Sequence, residues 1–211
     1  MTDKEIKEIE DYYNNLLLIG ETEFTYGPFI ITKNKDGLWV LKKFIEKECP
    51  CRPCKDECIF SRIPNFIQVI GESAFSNALF DTNLSDCEKL TCIIIPEGVK
   101  IIERRAFDAC NRLEFVNLPN TLKEIRDYAF SNCNLKSLHV PNSVTKIGKG
   151  AFAQNKFMSS LSLPYGISID ELAFDMCGCM VDKGKADLKI RMNTNQGLHP
   201  FRGSIFRGNL T

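Results

Sequence analysis

The stretch LEFVNLPNTLKEIRDYAFSNC, residues 113–133, decides the fold. Leu113, Val116 and Leu118 lead to Pro119, and Leu122 and Ile125 lead from it to the pair Ala129-Phe130. The same frame returns from Pro64 to Phe75, Pro96 to Phe107, Pro141 to Phe152 and Pro164 to Phe174. The spacing is roughly 22 residues, and an insertion of about nine residues around Leu79 to Asp86 lengthens the first interval without disturbing the frame on either side. A frame that recurs at fixed period marks a solenoid, in which each unit buries its apolar face only by stacking on its neighbours.

Ahead of each proline runs a segment of shared spacing: Leu90, Ile93, Ile95; Leu113, Val116, Leu118; Leu135, Leu138, Val140; Met158, Leu161, Leu163. Residues two apart share one side of a strand, so Ile93 with Ile95 and Leu138 with Val140 point inward, and proline ends the strand because it has no N–H for the ladder. The Ala-Phe pair predicts a close approach at alanine and a column of stacked phenylalanines on the convex side. Cys110, Cys133 and Cys177 each follow a phenylalanine by three and read as small buried hydrophobes at a turn.

These residues resemble the leucine-rich repeats of the BspA type, over about residues 60–180. The likeness implies a curved α/β solenoid with short parallel strands on the concave face and turns or short helices on the convex side. It also implies a role in protein binding or adhesion, often at bacterial or protist surfaces, with no catalytic set. The chain departs from that pattern in its N-terminal third, in the insertion near Leu79 and in a shortened last repeat.

The frame divides the chain into an N-terminal helix and hairpin over 1–48, expected to cap the array; a cysteine-rich linker over 49–59; the solenoid over 60–192; and an irregular tail over 193–211. Residues 3–18 carry Ile6, Ile9, Tyr13, Leu16 and Leu17 along one side of a helix whose early acids suit its dipole. Residues 29–32 and 38–41 form the arms of a hairpin, with Trp39 as packing. In the linker, Cys49, Cys51, Cys54 and Cys58 admit zinc, local disulfides or plain thiols. Four thiolates suit the metal, but all four crowd into one short stretch.

With the inward positions taken by the core, the outward strand positions are left for a partner: Phe60 and Arg62, Ile94, Phe115 and Asn117, then Ser137 and His139, with Lys136 beside them. Ile94 and Phe115 on neighbouring strands are the apolar members, and exposed apolar groups with a polar rim suit an interaction site. The rival expectation is that the N-terminal segment or the insertion folds over them.

Composition excludes more than it assigns. Lys plus Arg equal Asp plus Glu at 27 each, so nothing favours nucleic acid or an anionic membrane. No apolar run is long enough to span a bilayer. His139 lies near Ser137, Ser160 and Ser162, but no orienting acid or oxyanion site accompanies it, and no phosphate loop or metalloprotease motif occurs, so an enzyme is not expected. The N-terminus shows no signal sequence, which makes the chain cytoplasmic as it stands, or surface-exposed or secreted if a leader was removed. The expected function is a protein–protein interaction module without a cofactor. The alternatives are a surface adhesin or antigen fragment, or a scaffold with no dedicated ligand.

Overall fold

The computed structural model describes residues 2–19, 21–44, 63–76, 90–178 and the backbone of 191–193. The helix α1 (Asp3–Leu18) starts at a capping box: Glu5 N–H donates to Thr2 Oγ1 at 3.3 Å while Thr2 N–H donates to the Glu5 carboxylate at 2.6 Å. Ile6, Ile9, Tyr13 and Leu16 pack on the core. Leu17, expected on the same side, is instead 46% exposed.

Three antiparallel strands follow: β1 (Glu23–Tyr26), β2 (Phe29–Lys33) and β3 (Trp39–Phe44). The hairpin of β2 and β3 was legible in the sequence, whereas β1 was not. The Tyr13 hydroxyl sits between β1 and β2, donating to the Thr22 carbonyl at 3.0 Å and accepting from Lys33 N–H at 3.3 Å. Tyr13, Phe24, Trp39 and Phe66 form an aromatic cluster under α1, with Trp39 edge-to-face against each of the other three and Tyr13 tilted at 54° to Phe24.

The repeats then alternate between one long sheet and two short two-stranded ones. Before each proline lie β5 (Cys92–Ile94), β7 (Phe115–Asn117), β9 (Ser137–His139) and β11 (Ser160–Ser162), paired in parallel as β5–β7 and β9–β11. After the prolines lie β4 (Val69–Ile70), β6 (Ile101–Ile102), β8 (Glu124–Ile125), β10 (Lys146–Ile147) and β12 (Ser168–Asp170), followed by β13 (Arg191–Asn193). These join the N-terminal strands in one nine-stranded sheet of order β1-β2-β3-β4-β6-β8-β10-β12-β13. The entry point is β3, which pairs in parallel with β4 through Val40 with Val69 and Leu41 with Ile70.

A parallel-stranded solenoid is therefore what forms, and of the turns or short helices expected on the convex side it is turns that the described coils carry. Among the described residues α1 is the sole helix, and each complete coil carries a second short strand followed by turns. Backbone geometry gives the reason. Ser73, Arg105, Tyr128, Gly150 and Leu172, each two residues before a column phenylalanine, have φ between 55° and 59°, and Ala109, Asn132, Gln154 and Met176, two after, lie between 53° and 63°. Left-handed residues on both sides of the Ala-Phe pair bend the chain too often for a helical turn to propagate. Gly150 also allows close approach: a Cβ there would stand 2.5 Å from Tyr128 Cε1.

The core is a ladder of rings. Phe75, Phe107, Phe130, Phe152 and Phe174 stack with centroids 4.7–5.3 Å apart and planes within 13° of parallel. Each ring is at most 1% exposed. The backbone repeats beside them: Phe107 N–H donates to the Ala129 carbonyl, Phe130 to Ala151 and Phe152 to Ala173, each at 2.7 Å. The cysteines are not merely small hydrophobes. Cys110, Cys133 and Cys177 donate their thiols to the carbonyls of Phe75, Phe107 and Phe152, one coil back, at 3.0–3.3 Å. Asn155 takes this place in the remaining coil, donating to the Phe130 carbonyl at 2.9 Å and to the Phe152 carbonyl at 2.7 Å.

Candidate interaction surface

The nine-stranded sheet and the strands before the prolines treat their outward side chains differently. On the nine-stranded sheet and its turns the charges satisfy one another: Arg126 reaches Glu103 at 2.6 Å and Glu124 at 3.2 Å, Lys146 lies 3.8 Å from Glu124, and Lys149 pairs with Glu171. Against burial, which would lower it, the carboxylates of Glu103 and Glu124 hold the Arg126 guanidinium above its ordinary range. These ion pairs tie adjacent coils together across this face.

The strands before the prolines present a different surface. Alternation buries Ile93, Ile95, Leu118, Leu138, Val140 and Leu161, as expected from the sequence, and turns the intervening residues out. Register sets these in rows across the coils. Cys92 aligns with Phe115 and Ile94 with Asn117, while Ser137 aligns with Ser160 and His139 with Ser162. The row before them runs Thr91, Glu114, Lys136, Ser159, joined by N–H to carbonyl bonds of 2.7–3.0 Å from each coil to the one before.

Ile94 is 43% exposed and Phe115 46% exposed, and Asn117, Lys136 and His139 are exposed beside them. The Lys136 ammonium pairs with Glu114 and lies 5.8 Å from the centroid of the Phe115 ring. An exposed cation over an aromatic face is worth about 0.5–1 kcal/mol. Glu114 thus holds Lys136 against Phe115, a role the sequence pattern did not flag because the two partners lie one coil apart.

Of the other candidates, Phe60, Arg62, Cys49, Cys51, Cys54 and Cys58 fall outside the described residues. Among those described, no group of three or more His, Cys, Asp or Glu is arranged to hold a metal, and no helix is long and apolar enough to cross a membrane.

Known structures share this architecture. A leucine-rich repeat protein from Bacteroides capillosus superposes with a TM-score of 0.54 at 25% identity, over 67% of this chain and 98% of its own. The T. pallidum leucine-rich repeat protein gives 0.53 at 18% identity, over 88% and 85%. The pneumococcal vaccine antigen PcpA gives 0.55 at 17% identity, over 90% of this chain and 48% of its own. No curated protein matches the chain. The profile of the BspA type leucine rich repeat region matches residues 78–183 in six copies. Such solenoids are typically non-catalytic scaffolds for protein–protein interaction. With half of its length matched and the repeat frame realised coil by coil, the chain belongs to the BspA-type leucine-rich repeat family.

Proposed function

We propose that the chain recognises a protein partner through the face of β5, β7, β9 and β11, with Ile94 and Phe115 as the apolar centre and Asn117, Lys136 and His139 as the polar rim. The observation that carries this reading is the exposure of those two apolar side chains on strands whose alternate residues, Ile93 buried and Val116 partly buried, pack on the core. A half-exposed ring bordered by a fixed ammonium offers a partner both apolar area and charge-assisted contacts. Phe60 and Arg62 would extend the same row by sequence position.

The test is the double substitution Ile94→Ser, Phe115→Ser, followed by capture of partners from the source organism with wild-type and variant chains compared side by side. The variant is expected to stay folded by circular dichroism and to lose the partners the wild type retains. An unchanged partner set would leave the chain as a scaffold without a ligand on this face.

A surface role is the second reading, favoured by the fold shared with PcpA, which is described as a vaccine antigen. It predicts that Cys49, Cys51, Cys54 and Cys58 are oxidised in native material and that antibodies label intact cells. Fully reduced thiols and no labelling would exclude it.

A further inference from the structure

The N-terminal unit carries a second feature, unconnected with the face just described. In the nine-stranded sheet β1 is a terminal strand, paired among the described residues on one side only, with β2. Its register is Glu23 with Thr32, Phe24 with Ile31, Thr25 with Ile30 and Tyr26 with Phe29, closed by a two-residue turn at Gly27-Pro28 with φ 57° at the glycine. In an antiparallel pair closed this way, the turn-flanking residues exchange both backbone bonds and alternate residues do the same along the ladder. Tyr26 and Phe24 therefore turn their N–H and C=O toward β2. Thr25 and Glu23 turn theirs away from it. The Tyr13 hydroxyl fixes this parity, because it bridges Thr22 and Lys33, the next pair in the same phase. Among the described residues nothing bonds to the outward backbone groups of Thr25.

Along this edge, between β1 and α1, runs a groove of about 430 Å³ lined by Glu5, Glu8, Ile9, Tyr12, Thr25 and Tyr26, among others. Tyr12 is 54% exposed, and its ring meets the Phe24 ring edge-on at 5.8 Å, so the groove has an aromatic wall. The ionic residues that line it, Glu5 and Glu8, are both acidic. Of the other acids in the first 23 residues, Glu10 is paired with Lys33 at 3.4 Å and Glu23 with Lys42 at 2.5 Å, so the groove's charge rests on Glu5 and Glu8. Lys4 reaches Glu8 only at 4.0 Å, with both side chains largely in solvent.

We propose that the β1 edge and this groove dock an extended, lysine- or arginine-bearing segment of a partner protein, which adds as a further strand to the sheet. Backbone bonds to Thr25 and Glu23 supply the pairing, and alternate side chains of the segment enter the groove, where Tyr12 takes the aliphatic stem of a basic residue and Glu5 and Glu8 its charge. A second copy of this chain fits the same edge poorly, because antiparallel pairing of two β1 strands would set the two acidic groups against each other.

The experiment uses the full chain and a fluorescent peptide of about eight residues alternating lysine with valine, long enough to cover β1. Saturable binding is expected by anisotropy, weaker by about tenfold when glutamate replaces lysine and when alternate peptide nitrogens are methylated. Glu8→Lys is expected to weaken it similarly. So is Thr25→Pro, which removes an outward N–H at a position where an edge strand tolerates proline. Methylation alters only the peptide, so the backbone test does not depend on Thr25→Pro folding. The Ile94→Ser, Phe115→Ser variant is expected to bind the peptide unchanged, which separates this site from the one above. Equal binding of the methylated peptide would reduce the site to non-specific ion attraction and overturn the proposal, as would absence of saturable binding. A dimer abolished by Thr25→Pro would also overturn it, by assigning the edge to a second copy.

Discussion

Phe44, from the N-terminal hairpin, stacks on Phe75, from the first repeat, with ring centroids 5.3 Å apart and planes at 24°. Its backbone follows the repeat as well, since Phe44 N–H donates to the Ala74 carbonyl at 2.9 Å as Phe75 N–H donates to Ala106 at 2.8 Å. The hairpin thus supplies the ring and the rung that a preceding coil would have supplied. Truncating a buried phenylalanine costs about 3–5 kcal/mol, so Phe44→Ala is expected to lower stability by that order in urea unfolding. Hydrogen exchange should locate the loosening at Gly71 N–H, which donates to the Leu41 carbonyl at 2.8 Å. A loss well below about 1 kcal/mol would mean that the hairpin and the repeats fold independently.

Asn155 is fully buried and serves three backbone groups at once, donating to the Phe130 and Phe152 carbonyls and accepting from Leu135 N–H at 3.0 Å. Asn155→Ala strands all three, each at about 1–3 kcal/mol. Asn155→Cys restores the single backward bond that its sister coils use, but not the bond to Leu135. Thermal melts are expected to rank wild type above cysteine and cysteine above alanine; parity of the two variants would show that the thiol bonds contribute nothing.

Gly150 occupies the left-handed position at φ 59°, with the Tyr128 ring where a side chain would begin. Gly150→Ala is expected to cost about 1–2 kcal/mol for the backbone, less what the stiffer unfolded chain returns, plus the displacement of the ring. Adding Tyr128→Ala should recover the ring's share. A double-mutant cycle without coupling would reject the contact as a source of the loss.

Asp170 is raised above the usual carboxylate range, first by burial and then by Asp127, Glu171 and Glu124, with Lys146 opposing. The folded state therefore holds its proton to higher pH than the unfolded state, and stability falls as pH rises from the unfolded value through the folded one. Asp170→Asn is expected to raise the melting temperature at neutral pH and to give no gain at about pH 3, where both states are protonated. A lower melting temperature at neutral pH would show that attraction to Lys146 outweighs burial.

The strand frame was legible because one proline, one Ala-Phe pair and alternating apolar residues recur at a single spacing. For the same reason Ile94 and Phe115 were legible as outward-facing. The second strand of each coil was not, since two residues such as Ile101 and Ile102 are too short to show a period. The left-handed positions carry serine, arginine, tyrosine, glycine, leucine, alanine, asparagine, glutamine and methionine, so composition gives no mark of them. Phe44 lacks the alanine and proline that announce its counterparts. Its place in the column depends on how β3 docks, which is a tertiary fact. β1 did leave a trace, in the glycine-proline pair after Tyr26.

The Phe N–H to Ala carbonyl bond gives every interior junction the same coupling, and so makes coils exchangeable. Removing residues 119–140 would join Leu118 to Pro141, as Val140 is joined now, and bring Phe107 N–H opposite the Ala151 carbonyl that Phe130 currently serves. Asn155 would then reach back to the Phe107 carbonyl in place of Cys133. The array can thus be shortened, or by duplication lengthened, in whole units without a new kind of contact, and the distance between its two ends becomes a parameter that gene duplication sets independently of what either end binds.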